Sequence, residues 1–208
     1  AGRYKKAIIN YNRAVELKPN FKEAYANLAL IFHLVETTKF SEQVAEIFLK
    51  ILSFDSIARP DYIVRAIITL LKQHNTVIEL IEFIQKNPKK DLPLDNCIKV
   101  VKIPLFIKII ETCIIPDLEI ESILTNLRRT LLIEYEQLVF DNEIIQFQVS
   151  LALQCFINEF IYEEKTEETV AIAALEASLQ QAFLNNDELS SYGIACLASY
   201  RSLHKYAW

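Results

Sequence analysis

Glycine is almost missing from this chain of 208 residues: only Gly2 and Gly193 occur. Nucleotide and dinucleotide sites need clustered glycines between a strand and a helix, so that backbone can approach phosphate closely. Neither glycine has that setting, so no cofactor-binding residue is assigned. Asn-Gly and Asp-Gly pairs are missing as well, which removes the main short-range signal for β-hairpins. The four cysteines, Cys97, Cys113, Cys155 and Cys196, form no C-x-x-C motif. Zinc and redox motifs are therefore unsupported, and the thiols read as small core hydrophobes in a reducing, cytoplasmic setting. His33, His74 and His204 stand apart, none with a second ligand at metal spacing. Long apolar runs are absent too. The most apolar stretch, Ile103 to Leu118, is cut by Pro104, Lys108, Glu111 and Pro116, so no membrane span is expected. The opening AGRYKKAIIN has no signal-peptide core. A net charge of −5 with acids and bases interspersed gives no footprint for nucleic acid and no basic face for a membrane.

What remains is apolar and helical in pattern. With 52% hydrophobic residues and a mean hydropathy of +0.18, the chain can bury a sizeable core, and the expected fold is all-α with about ten helices. In residues 2–19, Ala7, Tyr11 and Ala14 recur at helical spacing and Pro19 closes the segment. Tyr25, Leu28, Ala29 and Phe32 then take the spacing W-x2-L-G-x2-Y, which is the signature of a tetratricopeptide repeat. The small residues let helices approach closely, and the large ones fill the gaps between them. Residues 1–58 are thus expected to form the end of a repeat array, and residues 59–208 an irregular helical bundle. The clearest loop, 86–93, is a candidate boundary. Beyond the helix at 40–54 no repeat is legible. Because a cut array exposes its core face, these residues read as an excerpt of a longer protein.

The first helix of the repeat would line a groove with Glu23, Ala26, Leu30, His33 and Leu34. Some tetratricopeptide domains grip a terminal carboxylate with Lys, Asn and Arg at such positions. Glu23 and its apolar neighbours do not fit that clamp.

The stretch Glu143 to Tyr162 is apolar on nearly every side and reads as a central core helix. Its thin polar stripe is Gln146, Ser150, Gln154 and Asn158. Phe156 is expected inside, and Gln154, Asn158 and Glu159 are expected to face solvent along a narrow groove, to bond the backbone ends of neighbouring helices, or to form a docking face. No nucleophile or metal ligand accompanies them, so no catalytic or metal residue is assigned. Arg128 and Arg129 read as a surface pair near Glu121 and Glu134 on one helix.

Two blocks, ETCIIPDLEIESILTNLRRTLL at Glu111–Leu132 and LALQCFINEFIYEEKTEE at Leu151–Glu168, carry a further resemblance, with Cys196–Tyr206 as a weaker third. Together with the repeat, they resemble bacterial tetratricopeptide-repeat proteins that carry an S-adenosylmethionine-dependent methyltransferase domain. The resemblance implies a non-catalytic helical region upstream of the catalytic domain. S-adenosylmethionine would then belong to that domain, whose glycine-rich loop has no counterpart here. The implied partner is a protein or peptide, with a methyltransferase domain in the same polypeptide. The other reading is a free-standing helical adaptor that binds a peptide or partner protein.

Overall fold

The computed structural model describes residues 2–35, 38–54, 60–135, 138 and 141–206. Among the described residues it is all helical, with eleven α-helices and no strand. These are α1 (Gly2–Leu17), α2 (Lys22–Leu34), α3 (Glu42–Leu52), α4 (Pro60–Leu71), α5 (Asn75–Lys86) and α6 (Leu94–Val101). They continue with α7 (Pro104–Thr112), α8 (Leu118–Ile133), α9 (Asn142–Ile157), α10 (Thr166–Leu184) and α11 (Ser191–Ala198), and a 3-10 turn follows at Leu203–Lys205. Local chemistry sets several starts. Ser41 Oγ accepts from Val44 N–H ahead of α3, and Asp117 accepts from the N–H groups of Glu119 and Ile120 ahead of α8. Each satisfies N-terminal donors that a helix cannot pair internally. The last helix is capped by Ser190, whose Oγ accepts from Gly193 N–H at 3.1 Å, and not by the acid Asp187 upstream.

The chain forms two compact units: Ala1–Ile78 with Pro104–Pro116, and Glu79–Ile103 with Asp117–Trp208. The division expected between residues 58 and 59 lies outside the described residues, and the loop 86–93 falls inside the second unit. The difference has a packing cause. In the first unit α2 and α3 form one helical hairpin, with Phe32 and Phe48 ring to ring at 5.0 Å. Helix α4 packs on α2, while α7 packs on both α3 and α4. The apolar faces of α4 (Ile63, Ile67, Leu70) and α7 (Leu105, Phe106, Ile109) are fully buried. Helices α4 and α7 thus stack as a second hairpin on the first, as repeat hairpins do. Its two helices are separated in sequence by residues that belong to the other unit, so no contiguous repeat pattern could reveal it.

In the second unit α9 lies along α11 and against α6, and α8 packs on α6 and α10. The core here includes Leu127, Leu131, Phe147, Leu151, Cys155 and Cys196, each fully buried. Helix α9 corrects the expectation for the central helix in three ways. It ends at Ile157, because Glu159 and Phe160 adopt left-handed backbone (φ 53° and 58°) and Phe160 N–H returns to Cys155 O at 2.8 Å. Phe156 is exposed at 56%. The polar stripe is partly inside: Gln146 is exposed, whereas Ser150 and Gln154 are buried.

Arg128 and Arg129 are buried as well, not on the surface. Arg129 Nη2 pairs with Asp91. The Arg128 guanidinium sits 4.1 Å over the Tyr200 ring and 5.8 Å from that of Tyr162. Its Nη2 donates to Glu163 O at 2.7 Å and reaches Glu168 Oε1 at 3.3 Å. Glu168 also accepts from Tyr200 Oη at 2.6 Å and from Lys165 N–H at 2.9 Å. A second clasp sits beside it: Arg201 donates to both Glu164 oxygens at 2.7 and 2.8 Å.

Two stability outcomes follow, read from denaturant melts. Phe147→Ala leaves a cavity in the core and is expected to cost about 3–5 kcal/mol. Phe156→Ala, one face round the same helix, is expected to stay within about 0.5 kcal/mol. Equal losses would mean that the facing of α9 is wrong. The Arg201 guanidinium, aided by Thr169 Oγ1, holds the Glu164 carboxyl below its ordinary value of 4.5. A depressed folded pKa gives stability that is present above the unfolded value and lost as pH falls through the folded one. Glu164→Gln should therefore be less stable than the parent at neutral pH, with the gap closing under acid. A gap independent of pH would remove the ion pair as its cause.

Candidate functional site

The residues of the repeat signature divide by depth. Tyr25, Leu28, Ala29 and Phe32 are buried, with Leu28 at 0% exposure; Ala7, Tyr11 and Ala14 are half-buried; Pro19 is exposed. The alternation follows from helical periodicity. On α2 the positions Ala24, Tyr25, Leu28, Ala29, Ile31 and Phe32 turn inward, which leaves Glu23, Leu30, His33 and Leu34 outward. Of the groove residues read from the sequence, Ala26 is half-buried and the other four are exposed.

Leu30 and Leu34 are 63% and 62% exposed, one turn apart on the same face. Helix α4 adds Tyr62, 55% exposed and in contact with His33, and exposed Arg65 three residues further along the same helix. His33 fixes this edge. Its Nδ1 lies 2.8 Å from the Tyr62 carbonyl oxygen, and its ring meets the Tyr62 ring edge-on at 5.8 Å. A carbonyl can only accept, so Nδ1 carries the proton. The result is a shallow surface of two leucines and a tyrosine held by a histidine, with one carboxylate, Glu23, and one guanidinium, Arg65, at its margins. It can receive apolar side chains of a peptide or a helix. The α2 positions of this face are the groove residues read from the sequence. Tyr62 and Arg65 were missed because α4 reaches α2 only through packing across a hairpin.

The α9 positions proposed for docking do not form one surface. Gln154 is fully buried, Asn158 is half-buried and donates to Tyr162 Oη at 3.3 Å, and Glu159 is exposed. Buried Gln148 donates to Ser199 Oγ at 2.7 Å, so this amide serves the packing of α9 against the C-terminal end of α11.

A cleft of about 480 Å³ in the second unit is lined by Glu121, Arg129, Ile161, Tyr162, Lys165 and Glu168 among others. Its deeper charges are already engaged: Arg129 with Asp91, and Glu168 with Arg128 and Tyr200. Burial pushes Tyr162 up to about 12, and Cys155, behind it, up to about 11 even though Arg128 pulls the other way. Both are thus neutral near pH 7 and unsuited to nucleophilic work. Among the described residues no group of three or more His, Cys, Asp or Glu could hold a metal ion. No helix among them is long and apolar enough to cross a membrane.

The two glycines lie within α1 and α11, not in a strand-to-helix loop. A Cβ at Gly193 would meet Tyr135 Oη at 3.2 Å and Leu179 at 3.3 Å, so this glycine serves close helix packing. Neither glycine stands in a loop of the glycine-rich kind through which backbone could approach S-adenosylmethionine closely.

Comparison with known proteins bears on the first unit. A family profile described as TPR repeat matches residues 1–35, which span α1 and α2. A search of curated proteins and a search of solved structures each gave no match. A tetratricopeptide repeat is present at the start of this chain, and such repeats generally bind proteins or peptides.

Proposed function

We propose that the chain is a protein-interaction scaffold that receives a peptide or partner helix on the outward face of α2 and α4. The observation that carries this reading is Leu30, Leu34 and Tyr62, each more than half exposed, on helices whose other faces are closed into the core. Clustered exposed apolar side chains with polar margins mark interaction sites. His33 holds the edge of the face in place, which limits the ordering cost of binding.

The narrower reading places this scaffold upstream of an S-adenosylmethionine-dependent methyltransferase domain, where it presents a protein to the enzyme or anchors the domain. The blocks at Glu111–Leu132 and Leu151–Glu168 support it by resemblance. Four buried cysteines, each a free thiol, support a reducing, cytoplasmic setting. The chain supplies the holding surface in this reading, and the chemistry belongs elsewhere.

Peptides selected from a displayed library against the intact chain test the surface. Binding of those peptides should weaken about tenfold or more in Leu30→Glu, as for a central apolar anchor. Selected peptides that bind the variant and the parent alike would refute the α2 face as the site. Calorimetric titration of the chain with S-adenosylmethionine should show no saturable heat; micromolar binding would contradict the division of labour between scaffold and enzyme.

A further inference from the structure

We propose that the outward face of α9 is a second docking surface, and that its partner is a cationic amphipathic helix of another protein. The first observation is an inversion. Helix α9 buries Gln148, Ser150 and Gln154 while it exposes Val149 (54%), Leu153 (44%), Phe156 (56%) and Ile157 (45%). Buried polar groups and exposed large apolar ones are the informative exceptions to ordinary burial. Val149, Leu153 and Phe156 stand at i, i+4 and i+7, so they form one stripe along the helix. Past the helix end Ile161 is 70% exposed, and Phe160 meets Phe156 edge-on at 6.3 Å. The turn that places them has two successive left-handed residues, Glu159 and Phe160, a backbone that L-residues adopt only at a cost.

Charge names the occupant. Between Thr130 and Tyr200 the sequence has twelve carboxylates and a single cation, Lys165. Glu159 and Glu163, at the far end of the stripe, make no ion pair among the described residues. At the near end Glu143 shares Lys102 with Asp141. An apolar stripe with an acidic rim suits a helix that has one apolar face and lysine or arginine on its flanks. The same rim disfavours an anionic membrane surface, which attracts basic segments. It also disfavours α9 of a second copy as the occupant, because two acidic rims would meet.

The probe is a fluorescein-labelled peptide of Leu and Lys in amphipathic order, about five helical turns long, titrated into the intact chain by anisotropy. The expected result is saturable binding that weakens with salt and drops about tenfold or more in Leu153→Ser with Phe156→Ser. Both side chains are exposed, so the variant should keep the parent's circular dichroism and melt. Val170→Ser with Leu184→Ser, on exposed positions of α10, should bind as the parent does. A Leu/Glu peptide of the same order should not bind. The proposal is overturned if the α9 variant binds the Leu/Lys peptide unchanged, if only the α10 variant loses it, or if the Leu/Glu peptide binds equally. It is also overturned if the parent self-associates in sedimentation and the α9 variant does not, or if phosphatidylglycerol vesicles capture the parent and not the variant. In those cases the occupant is a second copy or a lipid surface.

Discussion

A single buried guanidinium organises the second unit. Arg128 is 2% exposed and its carboxylate partner Glu168 is 1% exposed. Removing such charges from water costs several kcal/mol per ion, and their attraction repays it only when hydrogen bonds satisfy the rest. The surroundings do most of this, leaving Arg128 Nε as the one buried nitrogen of the pair without a hydrogen-bond partner among the described residues. Glu168 takes donors from Arg128, Tyr200 and the Lys165 backbone, and the face of Arg128 lies on the Tyr200 ring. The network joins α8, the segment after α9, the first turn of α10 and the residue that follows the α11 C-cap. Each tie lies 32 or more residues away in sequence, apart from the Lys165 bond. Because a half-satisfied buried network is worse than an apolar core, these elements must come together as a set.

That demand shapes α9. Tyr162 has to bring its ring within 5.8 Å of the guanidinium, while Glu163 offers its carbonyl to Arg128 and Glu164 its carboxylate to Arg201. A helix that ran on to Tyr162 would carry those groups round at 100° per residue. The left-handed pair at Glu159 and Phe160 breaks the helix instead. The side of α9 that faces α11 matches Ser199 through the buried amide of Gln148, and the end of α9 meets Tyr162 through the half-buried Asn158. The apolar residues left over are on the outside.

Much of the helical plan was legible in the sequence. Pro104, Asp117 and Ser41 mark starts through backbone chemistry that is local, and the tetratricopeptide spacing at Tyr25, Leu28, Ala29 and Phe32 predicts the buried face of α2. The facing of α9 was not legible. With apolar residues on nearly every side, periodicity does not choose a side, and tertiary partners decide. Arg128 gave no warning either: Glu121 and Glu134, close by in the chain, read as its partners, and its real partners are distant in sequence. The paired hairpin of α4 and α7 was hidden by the intervening residues. One signal was present and overlooked. Overall charge looked evenly mixed, yet from Thr130 to Tyr200 the carboxylates stand almost alone.

Two exposed faces with different chemistry imply different selectivity. The face of α2 and α4 carries leucines and a tyrosine, with Glu23 and Arg65 as opposed charges at its margins. Such a surface discriminates by shape and by the fit of apolar side chains, with little dependence on salt. The α9 face is apolar too, but carboxylates border it, so charge steers approach and rejects acidic competitors. A partner chosen by one face has no reason to satisfy the other. Helical scaffolds built from stacked hairpins can keep one core while neighbouring faces diverge, because each outward residue is free of the packing that fixes its inward neighbours. In this chain the separation is sharpest within single helices. Leu28 and Leu30 on α2, and Phe147 and Phe156 on α9, are alike in chemistry and opposite in exposure; the first of each pair specifies the fold, and the second is left available to a partner.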